Sequence, residues 1–233
     1  MLEVDAVHSF YGQAHVLHGA SLQVREREVV ALLGRNGMGK TTLVRSIMGL
    51  APPRVEGGRI SWRGEDLAAL RPHQVAARGI AIVPQGRRLF ASLTVTEHLT
   101  SLKPARATHG WTVDRAFEFF PRLAERRQHR GNQLSGGERG MLAVARALML
   151  DPALLLMDEP SEGLAPVMVQ HLESILLELK RSGMAILLVE QNLHSALAVA
   201  DRVCIMEAGQ VVHTGAAADV AADHALLTRL LGI

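Results

Sequence analysis

Residues 29–43, VVALLGRNGMGKTTL, pass from a continuous apolar run into a glycine-rich turn that ends in lysine and two hydroxyls. The five apolar residues 29–33 predict a buried strand of a parallel sheet covered on both faces, since such strands carry no polar side. Residues 34–41 match GxxxxGK[ST] at every fixed position. The pattern predicts a loop whose backbone N–H groups, with the N-terminus of the next helix, bind a polyphosphate.

The side chains that end this loop have the chemistry of a nucleoside triphosphate site. Lys40 is expected to reach the β- and γ-phosphates, and the Thr41 hydroxyl to ligate Mg²⁺. A glycine-rich turn with a chance lysine is the alternative. The apolar residues Leu43, Ile47 and Leu50 argue against it, because their spacing predicts the helix that a phosphate loop requires.

Composition indicates a globular chain with a sizeable core and excludes several classes of protein. The 233 residues are 48% hydrophobic, enough for one or two domains. The net charge of +2 is too small to argue for nucleic acid. Apolar runs such as 184–189 fall short of the ~18 residues that span a membrane. The first ten residues have no basic segment followed by an apolar one, so secretion is not expected. The single cysteine, Cys204, excludes an internal disulfide and is expected in a buried strand.

The rest of the pattern predicts strands first and then an inserted helical region. Strands are expected at 2–7, 16–24 and 79–83, the last stopped by Pro84. A hairpin is expected at Gly57 and Gly58, a helix at 66–78, and helices within 95–130. Thr94 and Glu97 form a candidate capping box. In the loop before it, Leu89 and Phe90 either pack under the loop or meet a partner. His15 and His18 are the closest histidine pair, but no Cys or carboxylate at ligand spacing supports a metal site.

Two further stretches carry chemistry. LSGGE, residues 134–138, is a second glycine turn directly before an amphipathic helix, so a second helix N-terminus is available to an anion. The apolar run 153–157 ends in Asp158 and Glu159, and adjacent carboxylates after a buried strand are costly unless they serve a metal or a reaction. Beside a phosphate loop they predict an ATPase core, in which Asp158 holds Mg²⁺ through its water shell and Glu159 polarises the attacking water.

Four motifs in this order resemble the ABC-type ATPases, and the resemblance covers essentially the whole chain. Residues 34–42 resemble the Walker A loop, Gln85 the Q-loop glutamine, LSGGE the signature, and LLLMDEP, residues 154–160, Walker B with its catalytic glutamate. The resemblance implies an α/β fold: a P-loop NTPase (RecA-like) with a mostly parallel core, an N-terminal antiparallel β subdomain and an inserted helical subdomain. It implies one ABC ATPase domain, residues 1–233, with core and β subdomain at 1–85 and 152–233 and helical subdomain at 86–151.

The resemblance also implies roles for individual residues. The implied catalytic residues are Glu159, Gln191 and Lys40, and the implied Mg²⁺ ligands are Thr41, Gln85 and Asp158. Tyr11 would stack on adenine, and the signature would contact the γ-phosphate of ATP held by an opposing subunit, so that a dimer has two composite sites. The implied ATP-binding residues are Tyr11, Gly34, Arg35, Asn36, Gly37, Met38, Gly39, Lys40, Thr41, Thr42, Gln85, Ser135, Gly136 and Gly137.

Within the family, VPQGRRLF (83–90), SEGLAP (161–166) and VEQN (189–192) resemble the second ATP-binding subunit of branched-chain amino acid importers. Related urea or amide importers share much of this pattern. The implied partners are transmembrane permease subunits, a second ATPase subunit of the same or a related kind and, indirectly, a solute-binding protein. The implied location is peripheral, on the cytoplasmic face of the inner membrane.

The chain departs from the general family pattern at three places. Gln191 stands where most members have a switch histidine, with His194 one helical turn later; SEGLA does not end in aspartate; and Gly140 lies inside the helix after the signature. A weakly hydrolysing regulator is therefore one alternative, against which Glu159 argues. A soluble ABC-type ATPase of DNA repair or ribosomes is another, but the chain has neither a long coiled insertion nor a second cassette.

Overall fold

The computed structural model describes residues 1–104 and 110–232. In these residues two sheets stack with helices around them, and the order of the strands is β2-β1-β4-β5 in the first sheet and β10-β9-β3-β8-β7-β6 in the second. The strands are β1 (Leu2–Tyr11), β2 (Ala14–Val24), β3 (Val29–Leu33), β4 (Arg54–Trp62), β5 (Glu65–Asp66), β6 (Ile80–Val83), β7 (Leu154–Asp158), β8 (Ala185–Glu190), β9 (Arg202–Glu207) and β10 (Gln210–Ala216). The helices are α1 (Lys40–Ile47), α2 (Pro72–Ala77), α3 (Val95–Thr100), α4 (Val113–Phe119), α5 (Pro121–Glu125), α6 (Gly136–Leu148), α7 (Pro166–Arg181), α8 (Leu193–Val199), α9 (Ala217–Ala222) and α10 (His224–Leu231).

The predicted buried strand is β3, at the centre of the larger sheet, where every residue is buried. It pairs in parallel with β8 on one side and β9 on the other, and β7 and β6 continue the parallel arrangement. Val30 and Leu32 pack toward the antiparallel sheet, while Ala31 and Leu33 pack toward α8, α9 and α10. Apolar neighbours on both faces explain the continuous apolar run, since each buried leucine or valine contributes about 1.5 to 3 kcal/mol.

Helices α3 to α6 lie between β6 and β7 in the chain, and none of their residues joins a sheet. The predicted capping box begins α3: Glu97 N–H donates to Thr94 Oγ1 over 3.1 Å, and Thr94 N–H donates to Glu97 Oε2 over 2.7 Å. The predicted helical stretch 95–130 contains three separate helices, and part of it, residues 105–109, lies outside the described residues. Phe120 and Leu123 are fully buried and anchor α4 and α5 to the core beside α6.

Two predictions for residues 54–78 were wrong. Gly57 and Gly58 do not form a turn but lie within β4, opposite an irregularity in β1, and a Cβ on Gly58 would collide with the Ala6 carbonyl. Close backbone approach therefore explains this glycine. The predicted helix 66–78 is shortened to α2, because Asp66 belongs to β5 and Pro72 opens the helix at its first position.

Two other expectations concern the strand ends and the cysteine. The first strand continues beyond residue 7 as far as Tyr11, which pairs with Ala14 across the turn and is exposed at the end of β1.

Cys204 is buried in β9, as predicted, and burial raises the pKa of its thiol. A buried thiol of raised pKa is a weak nucleophile, so this cysteine is structural.

Gly140 lies within α6, where glycine is less favourable than alanine. The Cβ of an alanine there would lie 3.8 Å from Leu164 Cδ2 and 3.9 Å from Arg87 Nε, which are ordinary van der Waals contacts. At Gly137, one turn earlier, a Cβ would collide with the Met168 side chain. Of these two helical glycines, only Gly137 is required by its surroundings.

We therefore expect Gly140→Ala to raise the free energy of unfolding by about 0.5 to 1 kcal/mol, because alanine restricts the unfolded chain and adds no clash. Urea unfolding followed by far-UV circular dichroism measures this difference. Gly137→Ala is the matched control and should give no gain, since Met168 must move. A Gly140→Ala protein less stable than wild type would contradict the prediction.

Candidate active site

The predicted phosphate loop joins β3 to α1 with its backbone held close to two other elements. Gly34 is buried, and a Cβ there would lie 2.5 Å from the Met206 carbonyl oxygen of β9. Gly39 begins α1 from a left-handed conformation (φ 101°), and a Cβ there would lie 3.0 Å from Leu17 Cδ2. Glycine is needed at both positions, at the first for space and at the second also for its backbone conformation.

The remaining loop residues differ in exposure and in their contacts. Arg35, Asn36 and Gly37 are exposed, and Arg35 Nε donates to the Leu231 carbonyl over 3.3 Å, which ties the loop to α10. Met38 accepts the Ala208 N–H on its sulfur and the Gly209 N–H on its carbonyl. Thr42 is buried in the first turn of α1. The backbone of residues 35–37 is thus the part of the loop open to an anion.

Lys40 is 4% exposed, and its ammonium group has three oxygen partners. Nζ donates to the carbonyls of Gly34 and Arg35 over 2.8 and 3.1 Å and forms an ion pair with Glu159 Oε1 at 3.2 Å. A buried ammonium needs such partners because desolvation of an unpaired charge costs several kcal/mol. The ion pair links the end of β7 to the phosphate loop.

Thr41 and Asp158 bring a hydroxyl and a carboxylate together beside the loop. Thr41 Oγ1 donates to Asp158 Oδ1 over 3.1 Å, and Asp158 is 3% exposed at the end of β7. Burial raises the pKa of Asp158 to about 6; the Thr41 hydrogen bond opposes the rise and the Glu159 charge adds to it. Hard oxygen donors of this kind fit Mg²⁺, which is commonly bound through one or two carboxylates while phosphates and water supply the other ligands.

Gln85 follows β6 and lies between two carboxylates. Its Nε2 donates to Glu159 Oε2 over 3.2 Å and to Glu162 Oε2 over 3.0 Å. The parallel pairing of β6 with β7 brings Gln85 and Glu159 together, because both follow the carboxyl ends of neighbouring strands. Glu162 was not identified from the sequence as a site residue, since it lies within SEGLAP without a spacing pattern that marks it.

Gln191 follows β8, whose last residue Glu190 pairs with Leu33 just before the phosphate loop. Glu190 is buried, which raises the pKa of its carboxyl, and it accepts N–H groups from Ser161 over 3.1 Å and from Gln191 over 3.2 Å. A cavity of about 340 Å³ is lined by Gln191 together with Glu159 and Glu162. His194 lies in the first turn of α8, is exposed and does not line this cavity.

The signature turn forms the start of α6. Ser135 is the N-cap: its Oγ accepts the Glu138 N–H over 3.2 Å, and its own N–H donates to Glu138 Oε2 over 2.7 Å. Gly136 and Gly137 begin the helix. Among residues 1–104 and 110–232, no hydrogen bond joins Ser135, Gly136 or Gly137 to the phosphate loop of the same chain.

A second cluster lies on the antiparallel sheet, where cross-strand pairing brings His8 next to the histidine pair noted in the sequence. His8 Nδ1 and His15 Nε2 are 3.0 Å apart, and the ring centroids of His15 and His18 are 3.9 Å apart. In the described part of the chain, no group of three or more His, Cys, Asp or Glu residues is arranged to hold a metal ion. Likewise, none of the described helices is long and apolar enough to cross a bilayer.

The chain matches the ABC transporter family model over residues 17–162. It is 43% identical over 221 residues to the high-affinity branched-chain amino acid transport ATP-binding protein BraG of Pseudomonas aeruginosa, covering 93% of this chain and 94% of BraG. It is 34% identical to the lipopolysaccharide export system ATP-binding protein LptB of Haemophilus influenzae, covering 100% of this chain and 97% of LptB. A solved structure of a nucleotide-free ATP-binding cassette from an ABC transporter superposes with a TM-score of 0.84 at 26% identity, covering 97% of both chains.

These matches and the site define a P-loop ATPase of the ATP-binding cassette class. The chain belongs to the ABC transporter ATP-binding family. It binds adenine nucleotide and couples ATP hydrolysis to transport. Coupling to transport implies transmembrane permease partners. The predicted fold is confirmed, with its mostly parallel core and N-terminal antiparallel sheet.

The raised pKa of Asp158 predicts a pH dependence of stability. Because the pKa of the folded state, about 6, lies above the ordinary 3.8, the folded protein binds this proton more tightly than the unfolded chain. Stability from this group is therefore greatest below pH ~4 and is lost as the pH rises through ~6. This group changes the free energy of unfolding by at most ~3 kcal/mol, because the two pKa values of Asp158 differ by about two units and each unit corresponds to ~1.4 kcal/mol.

We expect Asp158→Asn to stabilise the ATP-free protein at pH 7.5 and to have much less effect at pH 4.5, because the neutral amide still accepts from Thr41 without a desolvated charge. Urea unfolding of both proteins at the two pH values measures this. The wild-type profile is the control for every other titrating group. Parallel profiles for the two proteins would contradict the assignment of the effect to Asp158.

Proposed function

We propose that this chain is the ATP-hydrolysing peripheral subunit of an importer of branched-chain amino acids. The observation that carries the proposal is its 43% identity with BraG across nearly all of both chains, against 34% with the export subunit LptB. The local motifs VPQGRRLF, SEGLAP and VEQN support it. An importer of urea or amides is the second candidate, because it shares these motifs.

Lys40 is proposed to be the main charged contact of the ATP phosphates. In the structure its ammonium forms an ion pair with Glu159 and donates to two loop carbonyls. A triphosphate bound to the backbone of residues 34–42 would attract Lys40 away from Glu159 through its larger negative charge. Binding of ATP and release of the Glu159 carboxylate are thus proposed to be one event.

Thr41 and Asp158 are proposed to hold Mg²⁺, with Gln85 as a third protein ligand. The Thr41 and Asp158 oxygens already lie within hydrogen-bond distance of each other. Burial makes the charged form of Asp158 costly, and a bound cation would favour that form, which explains why a carboxylate is buried here. When bound, Mg²⁺ supplies positive charge that stabilises the transferring phosphoryl group. A bound cation would also lower the pKa of Asp158 and remove the destabilisation of the ATP-free state.

Glu159 is proposed as the residue that polarises the attacking water. It lies at the end of β7 next to Asp158, in reach of both Lys40 and Gln85. Once Lys40 contacts phosphate instead, Glu159 Oε1 is available as an acceptor, as a general base requires. Gln191 is proposed as the γ-phosphate sensor rather than His194, since only Gln191 lines the cavity with Glu159. A glutamine donates a hydrogen bond but cannot carry a proton.

The signature turn is proposed to complete the site of a second subunit. Its N-capped helix presents free N–H groups and a positive dipole end, yet it forms no hydrogen bond with the phosphate loop of its own chain. An opposing copy, or a related ATPase subunit, would hold the ATP whose γ-phosphate Ser135, Gly136 and Gly137 contact, while Tyr11 would stack on the adenine of the ATP bound to its own phosphate loop. The proposed subdomain division, 1–85 and 152–233 against 86–151, puts the two half-sites on different subdomains.

Phe90 is proposed as the point where a permease docks. Its ring is 62% exposed, while its backbone is held: Phe90 N–H donates to His98 Nε2 over 3.0 Å. His98 is buried, and its Nδ1 lies 2.8 Å from the Thr94 carbonyl oxygen, so the ring is held from both of its nitrogens. A cavity of about 630 Å³ lies between this loop and α6, lined by Leu89 and Met141 among others. A rigid exposed aromatic beside a cavity is typical of a binding hot spot.

Peripheral attachment to the cytoplasmic face of the inner membrane, through the permeases and indirectly near a solute-binding protein, follows from this proposal. A soluble ATPase acting on nucleic acid is disfavoured by the net charge of +2.

We expect Glu159→Gln to lower the ATPase rate at saturating ATP at least about 100-fold, because the amide cannot accept the proton of water. The variant should also form an ATP-bound dimer on size-exclusion chromatography, since ATP that joins two subunits is no longer cleaved. Wild type with ADP is the control and should elute as a monomer. A monomeric Glu159→Gln protein under saturating ATP and Mg²⁺ would contradict the composite site.

Transport itself is tested in the source cells with the gene deleted. We expect deletion to abolish uptake of labelled leucine, and wild-type protein, but not Phe90→Ser, to restore it, while purified Phe90→Ser keeps its ATPase activity. Val212→Ser, which changes another exposed residue (45%), is the control and should restore uptake. Lost uptake of urea with normal uptake of leucine would favour the second candidate and overturn the first.

A further inference from the structure

The loop after β6 and the loop after β7 are joined by the side chains of three residues. Gln85 Nε2 donates to Glu162 Oε2, and the guanidinium of Arg87 donates through Nη2 to the Glu162 carbonyl over 3.0 Å. Glu162 is thus bonded through both its side chain and its backbone to the loop that carries Gln85. It is exposed and does not touch Lys40, Thr41 or Asp158, so its role is exerted through Gln85.

The loop that carries Gln85 is held from α6 as well. Arg146 Nη1 donates to the Arg88 carbonyl over 3.0 Å, and Nη2 lies 3.5 Å from the Arg87 carbonyl. Arg87 and Arg88 both have positive φ, 63° and 40°, a backbone conformation that only surrounding contacts stabilise in a non-glycine residue. Gln85 therefore projects from a loop whose path is determined on two sides, by α6 and by Glu162.

The chemistry of its neighbours fixes the orientation of the Gln85 amide. Both side-chain partners, Glu159 and Glu162, are carboxylates, which accept hydrogen bonds and donate none. The NH₂ end of the amide must face them, and the carbonyl oxygen Oε1 is then the end that can be offered to a cation. With Glu162 absent, only Glu159 Oε2 would favour this orientation, since the other oxygen of Glu159, Oε1, is paired with Lys40.

We propose that Glu162 is a positioning residue of the ATPase site, which holds the Gln85 amide with Nε2 on the two carboxylates and so leaves Oε1 as the end that would serve a cation. Its charge-assisted hydrogen bond to Gln85 and the Arg87 bond to its carbonyl join the loops after β6 and β7. The proposal rests on the ATPase activity of the chain and is independent of the transported solute. It assigns a function to the glutamate of SEGLAP.

The first test uses the ATP-free, full-length chain labelled with ¹⁵N in glutamine side chains, with the Gln85 signal identified by its loss in Gln85→Ala. We expect hydrogen exchange of this amide to be at least about tenfold faster in Glu162→Ala than in wild type, because one of its two acceptors is removed. Glu178→Ala, which removes an exposed carboxylate of α7, is the control and should leave exchange unchanged. Unchanged exchange in Glu162→Ala would overturn the proposal.

The second test is kinetic. Glu162→Ala should lower kcat about tenfold while KM for ATP stays within about twofold, because the phosphate loop and Lys40 are untouched. In a Gln85→Ala background the same substitution should cause no further loss, since its effect acts through Gln85. Additive losses, or a rise in KM without a fall in kcat, would overturn the proposal. A wild-type chain without ATPase activity would refute the activity itself, while amide exchange would still test the position of Gln85.

Discussion

The site depends on one buried ammonium group, that of Lys40. A charge that is 4% exposed must be met by oxygens, and the structure provides them from the loop that carries it and from the residue after β7. The β7 partner reaches Lys40 because β3, β8 and β7 run parallel side by side, so that their carboxyl ends lie at one edge. The order of the strands is thus the condition for pairing this charge with Glu159.

Several carboxylates lie at the same edge of the sheet, where each would be costly to bury without a hydrogen-bond donor or a cation beside it. Asp158, Glu159 and Glu190 end or follow neighbouring strands, and each has a hydrogen-bond donor or cation beside it. Among the described residues, no buried side-chain nitrogen or oxygen lacks a partner. Removing one member therefore affects the others, which is why a distant-looking residue such as Glu162 can influence the position of Gln85.

Similarity both to a branched-chain amino acid transport subunit and to a lipopolysaccharide export subunit has a physical explanation. Both kinds of relative cover nearly the whole chain, which contains the buried sheets and the phosphate loop. The same ATPase reaction requires the same packing around the phosphate loop, because a small displacement of the atoms that contact the phosphates lowers the reaction rate. Differences between transporters are expected on the outer surface instead, where Phe90 and the cavity next to α6 lie.

The sequence alone determined the class, because the phosphate loop, the signature and the Asp158–Glu159 pair are local patterns whose spacing follows from backbone geometry. It also identified the capping box and the central strand, because helix capping and burial on both faces of a strand produce recognisable patterns in neighbouring residues. Only the tertiary structure decided that Gly57 and Gly58 stay within a strand and that Glu162 holds Gln85, 77 residues away. Contacts between residues distant in the chain depend on strand order and on backbone approach, and these leave no periodic signal in one sequence.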